Sequence, residues 1–104
     1  MGIQNELENV IYVELPSDSM QMSDELKTLN DTVTQKSDCD VIIDFSKVEI
    51  INSSNISNLL ILRSLLHDKG RRLILCSMKT VTRCIFVVAG LADVFVFIDD
   101  KFTT

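Results

Sequence analysis

Short runs of β-branched and aromatic residues alternate along this chain with longer segments of helical periodicity. Strand-like patterns occur in residues 10–15, 41–45, 73–76 and 94–98, and helical patterns occur from about residue 23, in 53–69 and in 78–89. Repeated strand-helix units favour a layered α/β fold, in which right-handed crossovers bring the strands side by side in parallel. We therefore predict one domain over residues 1–104, with a mostly parallel central sheet of four to five strands and three to four helices.

The predicted helices have recognisable ends. The first begins near Ser23, and its apolar stripe recurs at helical spacing at Met22, Leu26, Leu29 and Val33. Ser53 or Ser54 occupies the N-cap position of the second helix, where a hydroxyl oxygen accepts a hydrogen bond from the first turn. Gly70 and Gly90 follow the second and third helices, as is common where a left-handed residue ends a helix.

The amino-terminal residues indicate one further strand. Ile3, Asn5 and Leu7 alternate with polar residues at a period of two, which is the spacing of a half-buried strand. Glu8 and Asn9 then lie where a turn would lead into residues 10–15. The pattern predicts a hairpin at the start of the chain.

Cysteine usage and hydropathy exclude several classes of protein. Cys39, Cys76 and Cys84 are odd in number and show no CxxC spacing, which argues against a disulfide framework or a zinc site. The longest nearly continuous apolar run, residues 84–92, is far shorter than the roughly 20 residues that span a bilayer. We expect a cytoplasmic protein with reduced thiols and no association with a membrane.

Charge is distributed unevenly between the two halves of the chain. Residues 1–52 contain three basic and eleven acidic side chains, whereas residues 53–104 contain seven basic and four acidic ones. An acidic first half argues against a nucleic-acid surface, because affinity for a phosphate backbone comes chiefly from lysine and arginine. Lys69, Arg71 and Arg72 form the one basic patch, which is typical of a solvated turn.

The working surface of such a fold is expected at one edge of the sheet. In α/β folds the loops that follow the carboxyl ends of the strands collect there and carry the functional residues. In this chain they are predicted in residues 16–22, 46–52 and 77–79.

The thirteen residues 44–56, DFSKVEIINSSNI, run from strand through loop into helix. This segment resembles the signature of STAS domains of the anti-sigma-factor antagonist type. The resemblance implies a STAS-like fold and puts the regulatory phosphate on Ser53, with Ser54 as second choice. It also implies a partner-binding surface made of Asp18, Ser19, Asn52, Ser54, Asn55, Ser77 and Met78.

The same resemblance implies a signalling role in a partner-switching pathway. The partners would be an anti-sigma factor or related serine kinase, and a serine phosphatase. Asn52 stands where the family usually has aspartate, and Asn55 stands where it usually has glycine. These two departures leave an alternative open, a STAS-like scaffold or oligomerisation module that binds partners without phosphorylation. The oligomeric state is also open.

A switch at Ser53 has a physical basis apart from the family. The first turn of a helix has unpaired N–H groups and the positive end of the dipole, so a phosphate is stabilised there and does not unfold the helix. The simpler interpretation is that Ser53 is only a helix cap, worth about 1 kcal/mol of stability.

Two enzymatic or phospho-transfer alternatives fit less well. A receiver domain would use Asp44 as phosphate acceptor, but it needs a magnesium site, and Asp18 is the one acid after the strand 10–15. For a hydrolase or transferase, the sole histidine, His67, has no nucleophile at a recognisable spacing, and no Gly-rich phosphate loop is present. We therefore predict no enzymatic activity, no cofactor and no metal.

Overall fold

The computed structural model of the chain describes residues 3–7, 9–35 and 38–99. Strands and helices alternate over these residues as the sequence predicts, and the α/β fold class is confirmed. The elements are β1 Ile3–Leu7, β2 Val10–Glu14, α1 Ser19–Gln35, β3 Asp40–Asp44, α2 Ser53–Asp68, β4 Leu73–Cys76, α3 Thr80–Val88 and β5 Val96–Ile98.

The five strands form one sheet in the order β1-β2-β3-β4-β5. β1 is antiparallel to β2, as expected of a hairpin, and Asn9 in the connection has a φ of 64°. Glu8, the other predicted turn residue, lies outside the described residues. β2, β3, β4 and β5 are parallel, and Glu14, Asp44 and Cys76 lie side by side across three of them. The loops after β2, β3 and β4 therefore leave the sheet at the same edge.

The helices bury one face each against the sheet and one another. α1 and α2 are in contact, and their buried stripes contribute Met22, Leu26, Leu29, Val33, Leu59, Leu62 and Leu66 to a core shared with the strands. Phe86 of α3 contacts Phe95 and Phe97 edge to face, with ring centroids 5.6 Å apart in both pairs. Such aromatic pairs contribute about 0.5–1.5 kcal/mol each beyond the area that they bury. These contacts pack α3 against β5 and the residue that precedes it.

Two helix ends are confirmed and one helix start differs from the prediction. Gly70 and Gly90 have φ values of 70° and 77°, which are the left-handed conformations expected after α2 and α3. α1 begins at Ser19, four residues before the predicted Ser23. The reason is Asp18: its carboxylate accepts a 2.9 Å hydrogen bond from the N–H of Gln21 and so caps an earlier turn.

β2, β5 and α3 are shorter than predicted, β4 has the predicted bounds, and β3 is shifted by one residue. β5 begins at Val96, because Val94 donates its N–H to Leu91 in a turn and has not yet entered the sheet. α3 begins at Thr80 and not at Met78, since residues 77–79 are used to connect it to β4. Of the three cysteines, Cys76 is buried, Cys39 is half-buried and Cys84 is exposed. In the described part of the chain, every helix is too short or too polar to traverse a lipid bilayer.

Candidate functional site

Ser53 and Ser54 are the first two residues of α2, and both are exposed. The strand-to-helix junction predicted for this segment is therefore present. The predicted N-cap is wrong: the cap is Asn52, whose backbone is extended and whose Oδ1 accepts a 2.9 Å hydrogen bond from the N–H of Asn55. Because asparagine caps as well as serine does, the hydroxyl of Ser53 is not needed for this bond. It is left on the surface, one residue inside the helix.

Asn52 also connects the starts of two helices. Its Nδ2 lies 3.3 Å from Oγ of Ser19, which is the first residue of α1. Ser19 and Asn52 are both exposed, as is the neighbouring cap residue Asp18. Three of the residues predicted for the partner surface are thus brought together beside Ser53.

The loop after β4 reaches the same edge through a lysine. Nζ of Lys79 donates a 2.8 Å hydrogen bond to the carbonyl of Ser46 and lies 3.2 Å from Oε2 of Glu49. Ser77 and Met78, which precede this lysine, are half-buried. Met78 packs against the core, so only part of its side chain is available to a partner. Sequence reasoning placed Lys79 in the loop 77–79 of this edge but did not name it as a site residue, since its contacts with Ser46 and Glu49 depend on the tertiary fold.

Asn55 is not on the surface where it was predicted. Its side chain is 0% exposed, because the third residue of α2 faces the interior. Neither Nδ2 nor Oδ1 has a hydrogen-bond partner among the described residues. A buried amide without partners costs about 1–3 kcal/mol, so this side chain lowers the stability of the domain. The usual glycine at this position would avoid that cost.

Replacing this amide should therefore stabilise the protein. For Asn55→Ala we expect the free energy of unfolding to rise by about 1–2 kcal/mol, since an unpaired polar group is removed and alanine favours a helix. A small cavity offsets part of the gain. Urea unfolding measures the change, and Asn58→Ala, at a partly exposed position of the same helix, is the control that reports helix propensity alone. A loss of stability in Asn55→Ala would contradict the inferred desolvation cost.

Asp44 holds the start of the loop that leads to Ser53. Its side chain is fully buried at the end of β3, where Oδ1 accepts a 2.8 Å hydrogen bond from the N–H of Ser46 and Oδ2 accepts one from the hydroxyl of Tyr12. Burial and the bond to Asp44 raise the pKa of Tyr12 well above its ordinary value, so the phenol remains a neutral donor. A carboxylate held in this way is inaccessible to a phosphate donor, which removes the receiver-domain alternative. Among the residues with described positions, no cluster of potential metal ligands is found.

Two large apolar side chains are exposed at positions close in sequence to residues of this site. Met20 follows Ser19 at the start of α1 and is 78% exposed, and Ile50 precedes the cap Asn52 by two residues and is 71% exposed. Exposed apolar side chains rimmed by polar ones are typical of protein-protein contact surfaces. Sequence reasoning missed both, because the periodic pattern of the chain does not tell an exposed apolar residue from a buried one.

The fold and this edge define an α/β domain that presents a solvent-accessible serine at a helix start, surrounded by a mixed polar and apolar surface. Three solved structures are similar to it. A Thermotoga maritima protein that is assigned as an anti-sigma factor antagonist has a TM-score of 0.80 at 14% identity, covering 93% of this chain and 85% of its own. The anti-sigma factor antagonist SpoIIAA, in its unphosphorylated form, has a TM-score of 0.74 at 14% identity, covering 95% of this chain and 87% of its own.

The third is an anti-sigma-factor antagonist (STAS) domain protein from Planctomyces limnophilus, with a TM-score of 0.76 at 20% identity, covering 95% of this chain and 91% of its own. At such identities these likenesses show the fold. No curated protein sequence gives a significant match. The STAS domain family itself matches residues 6–103, nearly the whole chain. The chain belongs to the STAS domain family.

Proposed function

We propose that this STAS domain acts as an anti-sigma-factor antagonist that is switched by phosphorylation of Ser53. The observation that carries the proposal is the exposure of Ser53 in the first turn of α2, in a family whose similar structures are of anti-sigma factor antagonists. Ser54 is exposed as well and is the second choice. The domain acts by binding and not by catalysis.

The electrostatics of the first turn suit a phosphate on Ser53. The turn contains no acidic side chain, so the added charge of about −1.5 to −2 meets no like charge within it. The positive end of the helix dipole stabilises an anion at this place. A phosphorylated domain is thus expected to remain folded while its surface changes from neutral to strongly negative.

The partners follow from this proposal. The unmodified surface, with Met20, Ile50 and Ser53, binds an anti-sigma factor or a related serine kinase, and a serine phosphatase reverses the modification. We propose that the protein is cytoplasmic and that it meets these partners in the cytoplasm.

A scaffold that binds partners without phosphorylation is the second candidate. The observation that favours it is the use of Asn52 as a cap and as a bridge to Ser19, since an amide fixed in the structure does not replace a carboxylate that a kinase would contact.

Peptide mapping of protein purified from its native cells, combined with a kinase assay, distinguishes the two candidates. We expect one phosphate on the tryptic peptide 48–63, located on Ser53, and no uptake by Ser53→Ala when the cognate kinase and ATP are added. Ser54→Ala is the matched control and should accept phosphate as the unmodified sequence does. Full incorporation of phosphate into Ser53→Ala would show that the acceptor is another residue. If neither the unmodified sequence nor any variant takes up phosphate, the scaffold is favoured.

A further inference from the structure

A second polar site lies in a pocket far from Ser53. The cavity is about 190 Å³ in volume and is lined by Arg63, His67, Arg71, Arg72, Leu73, Val94, Phe95 and Val96. The chain contains four arginines and one histidine, so three of the four arginines and the sole histidine meet here, in a protein of net charge −5. Two residues of the basic patch seen in the sequence, Arg71 and Arg72, line this pocket, whereas Lys69 donates to the carbonyl of Val33.

The pocket is at the opposite edge of the sheet from the serine site. Leu73 and Val96 are the first residues of β4 and β5, and His67 is in the last turn of α2. A helix rises about 1.5 Å per residue, so His67 is about 21 Å from Ser53 along α2. A ligand in this pocket would not touch the proposed phosphorylation surface.

The positive charge of the pocket exceeds its ion-paired charge. Asp40 pairs with two of the lining arginines, with Oδ1 3.1 Å from Nε of Arg71 and Oδ2 3.6 Å from Nη2 of Arg72. Arg63 donates from Nε to the carbonyl of Val94 at 2.6 Å, and within the described residues neither Arg63 nor His67 forms an ion pair. One carboxylate therefore pairs with two of the three guanidinium groups, and the charge of Arg63 is not ion-paired among these residues.

The arginines are held in a way that suits an oxyanion. Nε of Arg63 is bound to a backbone carbonyl, which restrains the guanidinium, and its Nη groups bond to none of the described residues. Guanidinium groups recognise phosphate oxygens through paired N–H donors, and the buried Leu73 and Phe95 form the apolar part of the lining. The volume is below the roughly 300–1,000 Å³ of pockets for drug-sized ligands, which favours a small ligand.

We propose that this pocket binds a small anion that carries a phosphate group, with Arg63 and Arg72 as its principal donors and Arg71 held in place by Asp40. Free phosphate and a phosphate monoester share the chemistry that the pocket recognises. The two sources are distinguished by which of them binds more tightly. The site is independent of the proposed switch at Ser53.

Amide chemical-shift titrations of the full chain with inorganic phosphate and with ribose 5-phosphate test the proposal, against chloride at equal ionic strength. We expect saturable shifts around residues 63–73 and 94–96 that chloride does not produce. Arg63→Gln and Arg72→Gln should each weaken binding about tenfold, which is the usual loss when one charge-assisted hydrogen bond is removed. The tighter ligand of the two identifies the source.

Arg83→Gln is the matched control, because it removes the same charge from the one arginine outside the pocket, which pairs with Asp99 on α3's side of the sheet. It should bind as the unmodified protein does. Equal weakening in Arg83→Gln would attribute the shifts to net charge and overturn the proposal, as would the lack of any saturable shift with both ligands. Because Arg72 is 76% exposed on its side chain, Arg72→Gln tests the site even if Arg63→Gln does not fold.

Discussion

Ser53→Asp is expected to remain folded and to bind the anti-sigma factor that we propose as its partner at least about a hundredfold more weakly than the unmodified protein does. A hundredfold loss corresponds to about 2.7 kcal/mol, and burying a charge in an interface shaped for a neutral hydroxyl costs at least that much. The fold should not suffer, because an acidic side chain in the first turn interacts favourably with the helix dipole. The measurement is calorimetry with the anti-sigma factor recovered alongside the protein from its native cells.

Ser64→Asp is the control for this experiment. Ser64 is also an exposed serine of α2, but it lies eleven residues further along, about 16 Å from Ser53. The same charge at this position should leave partner affinity within a few-fold of the original. Undiminished binding by Ser53→Asp, or an equal loss in both variants, would contradict a switch centred on Ser53.

Asp44→Ala is expected to lower the free energy of unfolding by about 3 kcal/mol. The substitution leaves the N–H of Ser46 and the hydroxyl of Tyr12 without the carboxylate that accepts from them, and it creates a cavity in a fully buried position. The loop that follows Ser46 leads to Ser53, so we also expect faster hydrogen exchange in residues 46–52. Urea unfolding and amide exchange measure the two effects.

Asp44→Asn separates lost hydrogen bonds from lost charge. Its Oδ1 can still accept from the N–H of Ser46, and its Nδ2 can donate to the hydroxyl oxygen of Tyr12. We expect this variant to lose less than half of what Asp44→Ala loses. If the two variants lose equal stability, the charge of Asp44 matters more than its hydrogen bonds.

The order of the elements could be predicted because it depends on local periodicity. The apolar run at β3 and the stripe of α1 each reveal their element without reference to the rest of the chain, and the glycine after α2 marks where that helix ends. The exposure of Ser53 could also be predicted, since a serine directly after the loop that follows a buried strand lies at the edge of the sheet. Family resemblance then attached a role to that position, which spacing alone does not provide.

The features that could not be predicted depend on tertiary contacts. Whether Asn52 or Ser53 caps α2 is a choice between two good caps, and the bond from Asn52 to Ser19 is visible only once α1 is in place. Asn55 was predicted on the surface because it follows two exposed serines, but the helix turns it inward. The basic pocket joins Arg63 to Val94 across 31 residues of sequence, a separation that the parallel strands close.

The short last strand has a further consequence for the behaviour of the domain in solution. Within residues 3–7, 9–35 and 38–99, the outermost strand on one side of the sheet is β5, which is three residues long and is preceded by a turn in which Val94 donates its N–H to Leu91. A free sheet edge invites another molecule to add a strand, and natural proteins suppress such aggregation by keeping their outermost strands brief. At the β5 edge few backbone N–H and C=O groups can pair with a strand of another molecule. This short edge therefore helps to keep the protein from aggregating at high concentration.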